Sequence, residues 1–255
     1  MRISVYDLRL DWLDRLPACF TLAEFRAVSR LSPDAAWQTL RRWEQGGKLA
    51  LAGNGLYRRP GTALRWPPAV HRAAAGGGYF TGWSALQMIR RRPSPVGHLD
   101  LVCARRVVGS PAGGEIPVRR HGLKLGGFSG GLLREVDGGR EIRVASPERV
   151  VLDSLAWPGR FLGIGEVVDL LASKRPRVDA VALLELAAQW GCEAVRRRLV
   201  VTAAAAGRPR LSRWAGELGP FSPGMGRIRL DPTVPIPRGA PVVSGVILNT
   251  PLAEG

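Results

Sequence analysis

The polar and apolar positions near the N-terminus predict a short helix with a defined start. Thr21 and Glu24 have the three-residue spacing of a capping box, in which each side chain accepts a hydrogen bond from the other residue's backbone amide. Phe20 and Phe25 flank this pair at the positions of a hydrophobic staple. The pattern therefore predicts a helix from Thr21 to about Ser29.

A second helix is predicted after a turn of three or four residues. Ser32-Pro33 combines a capping residue with a proline suited to the first helical position, and Gly46-Gly47 ends the segment. Three apolar residues share one face at helical spacing and are assigned to the core: Ala36, Leu40 and Trp43. Trp37, at the edge of that face, is expected to pack in the protein.

A β-hairpin is predicted directly after the second helix. Asn54-Gly55 favours a tight turn, and it lies between the runs 48–51 and 56–59, which both contain apolar residues. Tyr57 is expected in the core, because aromatic residues dominate core packing. Two helices joined by a short turn form a helix-turn-helix, and a hairpin after the second helix would be its wing.

The polar face of the second helix has side chains suited to DNA. Arginine and glutamine match the edges of guanine and adenine in a major groove, and arginines of a wing can reach phosphates or a minor groove. The predicted site on double-stranded DNA comprises ten residues: Ser32, Asp34, Gln38, Arg41, Arg42, Gln45, Lys48, Asn54, Arg58 and Arg59. The alternative is a winged helix that docks onto another protein and binds no DNA.

The remaining chain alternates short strands with helices. Strands are expected near 98–103, 115–119, 141–145 and 242–249, and helices near 81–89, 163–172, 179–190 and 193–206, with another helix starting at Ser146-Pro147. This mixture predicts an α+β fold in three parts. These parts are a winged helix-turn-helix domain in 1–60, a Pro/Ala-rich connector in 61–75 and a larger mixed α/β domain in 76–255.

The charge of the chain favours polyanionic partners. The formal net charge is +16 at pH 7, which suits nucleic acid, a membrane surface or an acidic protein. Basic residues are spread along the chain, the net positive charge is highest between 61 and 144, and most basic residues are arginine, a residue that coding bias can enrich. The arrangement of the N-terminal residues therefore supports DNA binding more than the charge does.

Neither a metal site nor a membrane segment is expected. Three cysteines and three histidines are scattered without ligand spacing: Cys19, Cys103, Cys192, His71, His98 and His121. Unclustered thiols suit a reducing cytosol. No apolar run reaches the roughly 18 residues of a membrane span, and the first residues lack a signal-peptide core. We expect a cytoplasmic protein that has no cofactor and no membrane partner.

The sequence contains no evident catalytic set, so the chain is not expected to be an enzyme. Gly76-Gly77-Gly78 lacks the following lysine of a phosphate loop. Gly109-Ser110 is not followed by the paired aspartates of a nucleotidyltransferase. A metal-dependent nuclease is a further alternative, although Lys124 precedes Glu135 and Asp137, the reverse of the usual nuclease order.

Other polar residues are given structural explanations. Ser84, Ser146 and Asp153 are expected to be helix caps or surface groups. Arg196-Arg197-Arg198 would point about 100° apart on a helix, so at least one should pack or pair internally. The others would form a basic surface for a protein or a DNA backbone, or a solvated face.

Five segments, taken in order and spacing, resemble the AbiEi-type antitoxins of type IV toxin–antitoxin (abortive infection) systems, which are also transcriptional regulators. The segments are LRRWEQGGKLALAGNGLYRRPG, YFTGWSAL, VASPERVVLDSL, CEAVRRRLVVTAAAAG and VILNTPL. The resemblance spans nearly the whole chain. It implies an antitoxin whose winged helix binds operator repeats, inverted or direct, and represses its own operon. The C-terminal domain would counteract a cognate nucleotidyltransferase toxin.

Overall fold

A computed structural model describes residues 7–52, 55–90, 97–103, 117–122, 130–222, 226–250 and 252. The helices are α1 (Asp7–Asp14), α2 (Leu22–Ser29), α3 (Pro33–Gln45), α4 (Pro68–Ala75), α5 (Gly82–Arg90), α6 (Pro147–Ala156), α7 (Ile164–Ala172), α8 (Ala180–Trp190), α9 (Glu193–Ala205) and α10 (Pro209–Glu217). The strands are β1 (Cys19–Thr21), β2 (Ala50–Leu51), β3 (Leu56–Arg58), β4 (Tyr79–Phe80), β5 (Leu99–Cys103), β6 (Val118–Gly122), β7 (Leu132–Asp137), β8 (Arg140–Ala145), β9 (Ile228–Arg229), β10 (Val242–Val243) and β11 (Val246–Ile247). The fold is mixed α+β, as the sequence predicts.

The chain divides into two compact units. The first unit comprises Met1–Tyr79, Gly97–Leu123 and Arg134–Arg143, and the second comprises Phe80–Val96, Lys124–Leu133 and Val144–Gly255. The predicted domain boundaries at residues 60 and 75 stay predictions. The expected connector, 61–75, contains α4, which buries Val70 and Ala73 because its apolar residues recur at helical spacing.

The N-terminal helices of the first unit begin as predicted. The Thr21 hydroxyl accepts from the Glu24 amide at 3.2 Å, and the Glu24 carboxylate accepts from the Thr21 amide at 2.8 Å, so the capping box is present. Ser32 caps α3 by accepting from the Ala35 amide at 3.3 Å. Between the helices, Arg30 adopts a left-handed conformation with φ 57°, which ends α2.

The predicted hairpin is also present and acquires a third strand. Leu51 pairs with Tyr57 across antiparallel β2 and β3, and Phe20 of β1 pairs with Tyr57 on the other side of β3, giving the order β1-β3-β2. The short β1 was not predicted, because Phe20 was assigned only to the helix staple. Phe20 in fact belongs to both the staple and the sheet, because its ring lies 6.3 Å from that of Phe25 and 6.1 Å from that of Tyr57.

One apolar cluster holds these elements together. The predicted core residues Ala36, Leu40, Trp43 and Tyr57 are all buried in it. The cluster also contains Leu13, Leu16, Phe20, Phe25 and Leu49. The Phe25 ring packs edge-on against Trp43 at 5.5 Å, an arrangement that aromatic quadrupoles favour. Non-polar burial by α1, α2, α3 and the hairpin thus fixes which side of α3 faces outward.

A second sheet has five strands in the order β6-β5-β4-β8-β7. β5 and β6 are parallel, with Leu99 opposite Val118, and β4 and β8 are parallel, with Phe80 opposite Val144. The predicted alternation in β5 is wrong, because all five of its residues are buried. Predicted residues 115 and 116 lie outside the described part of the chain, and β7 was not predicted.

The second unit is mainly helical. α9 packs against α6, α7 and α10, and a small sheet has the order β10-β11-β9. Ser146 caps α6 as expected, by accepting from the Arg149 amide. Ser84 and Asp153 are neither caps nor surface groups: both are fully buried, and Asp153 accepts from Arg149 at 2.8 Å and Thr81 at 2.7 Å. A buried carboxylate needs such partners, and these lie too far apart in sequence for local spacing to reveal all of them.

The run of glycines before β4 has a packing explanation. Gly76 ends α4, and Gly77 and Gly78 have φ values of 74° and 106°. A Cβ at Gly78 would overlap the backbone carbonyl of Val102. Glycine is therefore required there for close backbone approach.

Candidate nucleic-acid interface

The outward side of α3 is polar and basic. Gln38, Arg41, Arg42 and Gln45 are all exposed, whereas the opposite side of the helix is buried in the core. This separation follows from the 3.6-residue period of the helix. The structure therefore brings four of the ten predicted DNA-binding residues to one accessible side of α3, which we call the α3 surface. Lys48, three residues after the end of α3, is also exposed.

The α3 surface has few internal partners that would compete with a ligand. The Arg42 side chain makes a marginal contact with the Gln38 carbonyl at 3.4 Å. The Arg41 guanidinium lies over the ring of Trp37, 5.1 Å from its centroid. This stacking stiffens the arginine and leaves its edge donors open.

Trp37 corrects one expectation. It was expected to pack in the protein, but 46% of it is exposed. Its position, four residues before Arg41, places the two side chains on the same helix face. That i, i+4 spacing is visible in the sequence and would have assigned Trp37 to the α3 surface.

The remaining predicted site residues are more varied. Ser32 and Asp34 lie at the start of α3, where both are exposed and the Ser32 hydroxyl acts as the cap. Asn54, the expected tip of the wing, lies outside the described residues. Gly55 beside it has φ 72°, which is a left-handed turn conformation that suits glycine.

The two arginines of the hairpin are partly occupied by the protein itself. Arg58 donates to the Thr62 carbonyl at 2.6 Å. Arg59 donates to the Leu16 carbonyl at 3.3 Å, and its guanidinium lies 3.9 Å from the Asp14 carboxylate. Both are half-buried, so their predicted phosphate contacts would require these side chains to turn outward.

Arg140 is a buried arginine that contacts the first turn of α2, and sequence analysis did not identify it. Arg140 donates to both carboxylate oxygens of Glu24, at 2.7 and 2.9 Å, and to the Cys19 carbonyl at 2.7 Å. Burial alone would raise the pKa of Glu24, but hydrogen bonds from Arg140 and Thr21 outweigh burial and lower it below its ordinary value. No local pattern could have indicated a partner 116 residues away.

A second buried network lies in the same unit. The Asp137 carboxylate accepts from the backbone amides of Arg65 and Trp66, at 3.0 and 2.9 Å, and contacts Nε2 of His71 at 2.9 Å. Burial would raise the pKa of Asp137, but these donors outweigh it and lower the pKa. Burial lowers the pKa of His71 despite the carboxylate beside it, so the ring is kept neutral.

The three arginines of α9 all contact other parts of the protein. All three are engaged: Arg196 donates to the Pro220 carbonyl, Arg197 pairs with Glu193 at 2.6 Å, and Arg198 donates to the Leu155 and Arg229 carbonyls. The prediction that at least one packs internally is confirmed. The alternatives of a basic surface or a solvated face are wrong for Arg197 and Arg198, which are buried.

No metal site is found in the part of the chain that the structure describes. No group of three or more His, Cys, Asp or Glu side chains there could hold an ion. The described helices also include none that is long and apolar enough to span a membrane.

The fold and the α3 surface define a mixed α+β protein in which one helix exposes arginine and glutamine side chains. No family model and no curated protein matches the chain. Its structure is similar to that of the RV2827C protein from Mycobacterium tuberculosis, with a TM-score of 0.56 and 16% identity over 96% of this chain and 92% of that chain. At that identity the likeness establishes the fold alone.

Proposed function

We propose that this protein binds double-stranded operator DNA through α3 and represses its own operon as a type IV antitoxin. The observation that carries the DNA-binding part is the α3 surface: arginine and glutamine side chains are exposed along one side of a helix whose other side is buried. The helix has 13 residues and is about 20 Å long, and a B-DNA major groove admits a helix.

The hairpin supports the interpretation of this region as a winged helix-turn-helix. β2 and β3 follow α3 directly and are held to the same core through Tyr57. A hairpin in this position would lie beside the helix on the duplex. Its tip would then contact the backbone or the minor groove, as we expect for Asn54.

The antitoxin part of the proposal rests on the sequence resemblance to AbiEi-type antitoxins. In this proposal the protein is cytoplasmic, is not an enzyme, needs no cofactor and counteracts a cognate nucleotidyltransferase toxin. Growth rescue on co-expression with a neighbouring nucleotidyltransferase gene would support this part. Toxicity that the full chain leaves unchanged would contradict it without affecting the DNA-binding part.

The DNA-binding part is tested by replacing Arg41 and Arg42 with alanine. Each good arginine contact to a base contributes about 1–3 kcal/mol, so the double variant should bind the operon's own promoter fragment at least about 30-fold more weakly. Wild-type affinity should also fall steeply with rising salt, because bound phosphates release counterions. Gel shifts across a salt series measure both effects.

The matched control is the Arg134→Ala/Arg143→Ala double variant. It removes the same charge from two exposed side chains of the first unit, each near Glu141 and neither on α3. Its promoter affinity should stay within about threefold of wild type, as expected for screened surface charges. Equal losses in both double variants, or no duplex binding at low salt, would overturn the proposal and favour a protein-docking module.

A further inference from the structure

The second unit, which does not include α3, has a basic cleft of its own. Two adjoining cavities of about 560 and 500 Å³ share Arg177, Gly207 and Arg208 in their walls. The first is also lined by the end of α7 and the turn that follows it, and the second by the starts of α8 and α10. We call this feature the α7–α10 cleft.

The cations of the α7–α10 cleft are not neutralised by the protein. Lys174, Arg177 and Arg210 are exposed, and none has an ion pair or a side-chain hydrogen bond with any residue the structure describes. No Asp or Glu lines either cavity. The neighbouring Asp179 is occupied as the cap of α8, accepting from two backbone amides.

One further arginine fixes the shape of the cleft. Arg208 donates to the Leu171 carbonyl at 3.4 Å and to the Val178 carbonyl at 3.2 Å. It thereby joins the end of α7 to the segment before α8 and stands at the wall common to both cavities. The three other cations therefore surround a preformed concave surface, where field lines from like charges are concentrated.

An exposed tryptophan completes the cleft. Trp214 lines the second cavity and is 38% exposed, while Leu211 and Ala215 turn the other side of α10 into the core. Trp214 lies four residues after Arg210, so both side chains project from the same face of the helix. A flat aromatic face beside a cation is the combination that binds a base next to its phosphate.

We propose that the α7–α10 cleft binds a nucleotide, with the base stacked on Trp214 and the phosphate oxygens held by Lys174, Arg177 and Arg210. Cavities of this size are within the range of small-ligand sites, about 300–1,000 Å³. The nucleotide belongs either to a single-stranded nucleic acid or to a free nucleoside triphosphate, which share this chemistry. An acidic peptide would use the cations but would not require the indole. The site is independent of duplex binding by α3.

Fluorescence anisotropy of the full chain with a labelled hexanucleotide at physiological salt tests the proposal. Trp214→Ala should weaken binding about tenfold, because stacking on an aromatic side chain accounts for that much per base, and Trp214→Phe should retain most of it. The triple variant Lys174→Ala/Arg177→Ala/Arg210→Ala should also lose at least tenfold. Its matched control replaces three exposed arginines elsewhere in the second unit, Arg160, Arg227 and Arg238, and should bind as wild type does.

Competition distinguishes the two sources of nucleotide. Displacement of the label by ATP or GTP identifies a free-nucleotide site, and displacement by unlabelled oligonucleotide alone identifies a single-strand site. Either result supports the proposal. Equal displacement by inorganic triphosphate with no effect of Trp214→Ala, no binding of any probe, or equal losses in the triple variant and its control would overturn it. Promoter binding should survive the cleft variants, so failure here is distinct from failure of the α3 assignment.

Discussion

Two helices of this protein carry neighbouring arginines in opposite environments. Arg41 and Arg42 of α3 project into solvent, whereas Arg196, Arg197 and Arg198 of α9 all contact protein atoms. The difference does not come from the arginines themselves. It comes from how many sides of the helix are covered, since α3 has one buried side and α9 packs against α6, α7 and α10.

Two of the α9 arginines contact the residues that follow α10. The Arg196 and Arg197 guanidinium groups lie 4.8 and 5.0 Å from the ring centroid of Phe221, and Arg197 also donates to the Ser222 carbonyl. Consecutive residues diverge by about 100° on a helix, so the run reaches several different partners. A basic run thus indicates a ligand surface only where the helix leaves that side uncovered.

The largest effect that tests this comparison is expected at Arg198. Arg198→Ala should lower the free energy of unfolding by about 3 kcal/mol, because the buried Leu155 carbonyl and the Arg229 carbonyl would lose a charged donor. Arg41→Ala should change it by less than about 0.5 kcal/mol, as for an ordinary surface position. Urea unfolding of both variants measures the difference. Similar losses at the two sites would show that α3 and α9 do not differ as described.

A smaller effect should separate two arginines of a single strand. In β8, Arg140 is 7% exposed and pairs with Glu24, while Arg143 is 53% exposed and pairs with Glu141. Arg140→Met should cost about 2 kcal/mol, less than for a fully buried pair because Glu24 retains some solvent contact. Arg143→Met should cost almost nothing. If both variants unfold at the same urea concentration, the contact of Arg140 with Glu24 does not stabilise the fold more than the contact of Arg143 with Glu141 does.

Local chemistry predicted the N-terminal helices well. The caps at Thr21 and Ser32 and the buried residues Leu40 and Trp43 depend only on spacing within a few residues, which a sequence displays. The polar side of α3 followed from the same periodicity. Exposure of Trp37 could have been inferred from its pairing with Arg41.

The features that the sequence did not predict depend on contacts between distant parts of the chain. In the sequence Asp153 looks like a surface residue, and its burial becomes evident only from its hydrogen bond with Thr81. Arg140 likewise looks the same as Arg143, and only its contact with Glu24 distinguishes it. The two-residue strand β4 is defined by its partners rather than by its own sequence. Burial of charged groups is therefore the feature that spacing could not supply, because it is decided by which elements pack together.

The smallest expected effect concerns the buried side chain of His71. Burial lowers the pKa of His71, and Arg140 and Arg58 lower it further. Its Nδ1 is buried without a hydrogen-bond partner among the described residues, so a proton added there would find no acceptor. As pH falls below the ordinary histidine pKa of 6.5, His71 is therefore protonated in the unfolded chain but stays neutral in the folded chain. The free energy of unfolding consequently falls as pH falls.

The contribution of His71 to this acid sensitivity cannot exceed about 1.4 kcal/mol per pH unit, the limit for one proton. His71→Gln keeps a donor for Asp137 and removes the titration, so its stability should decline less between pH 6.5 and 5 than that of wild type. Glu24 and Asp137, whose pKa values are lowered, lose their stabilising effect only in more acidic solution, as pH falls through their folded pKa values. Urea unfolding of both proteins across this pH range measures the difference. Parallel pH profiles would mean that the folded structure does not lower the pKa of His71.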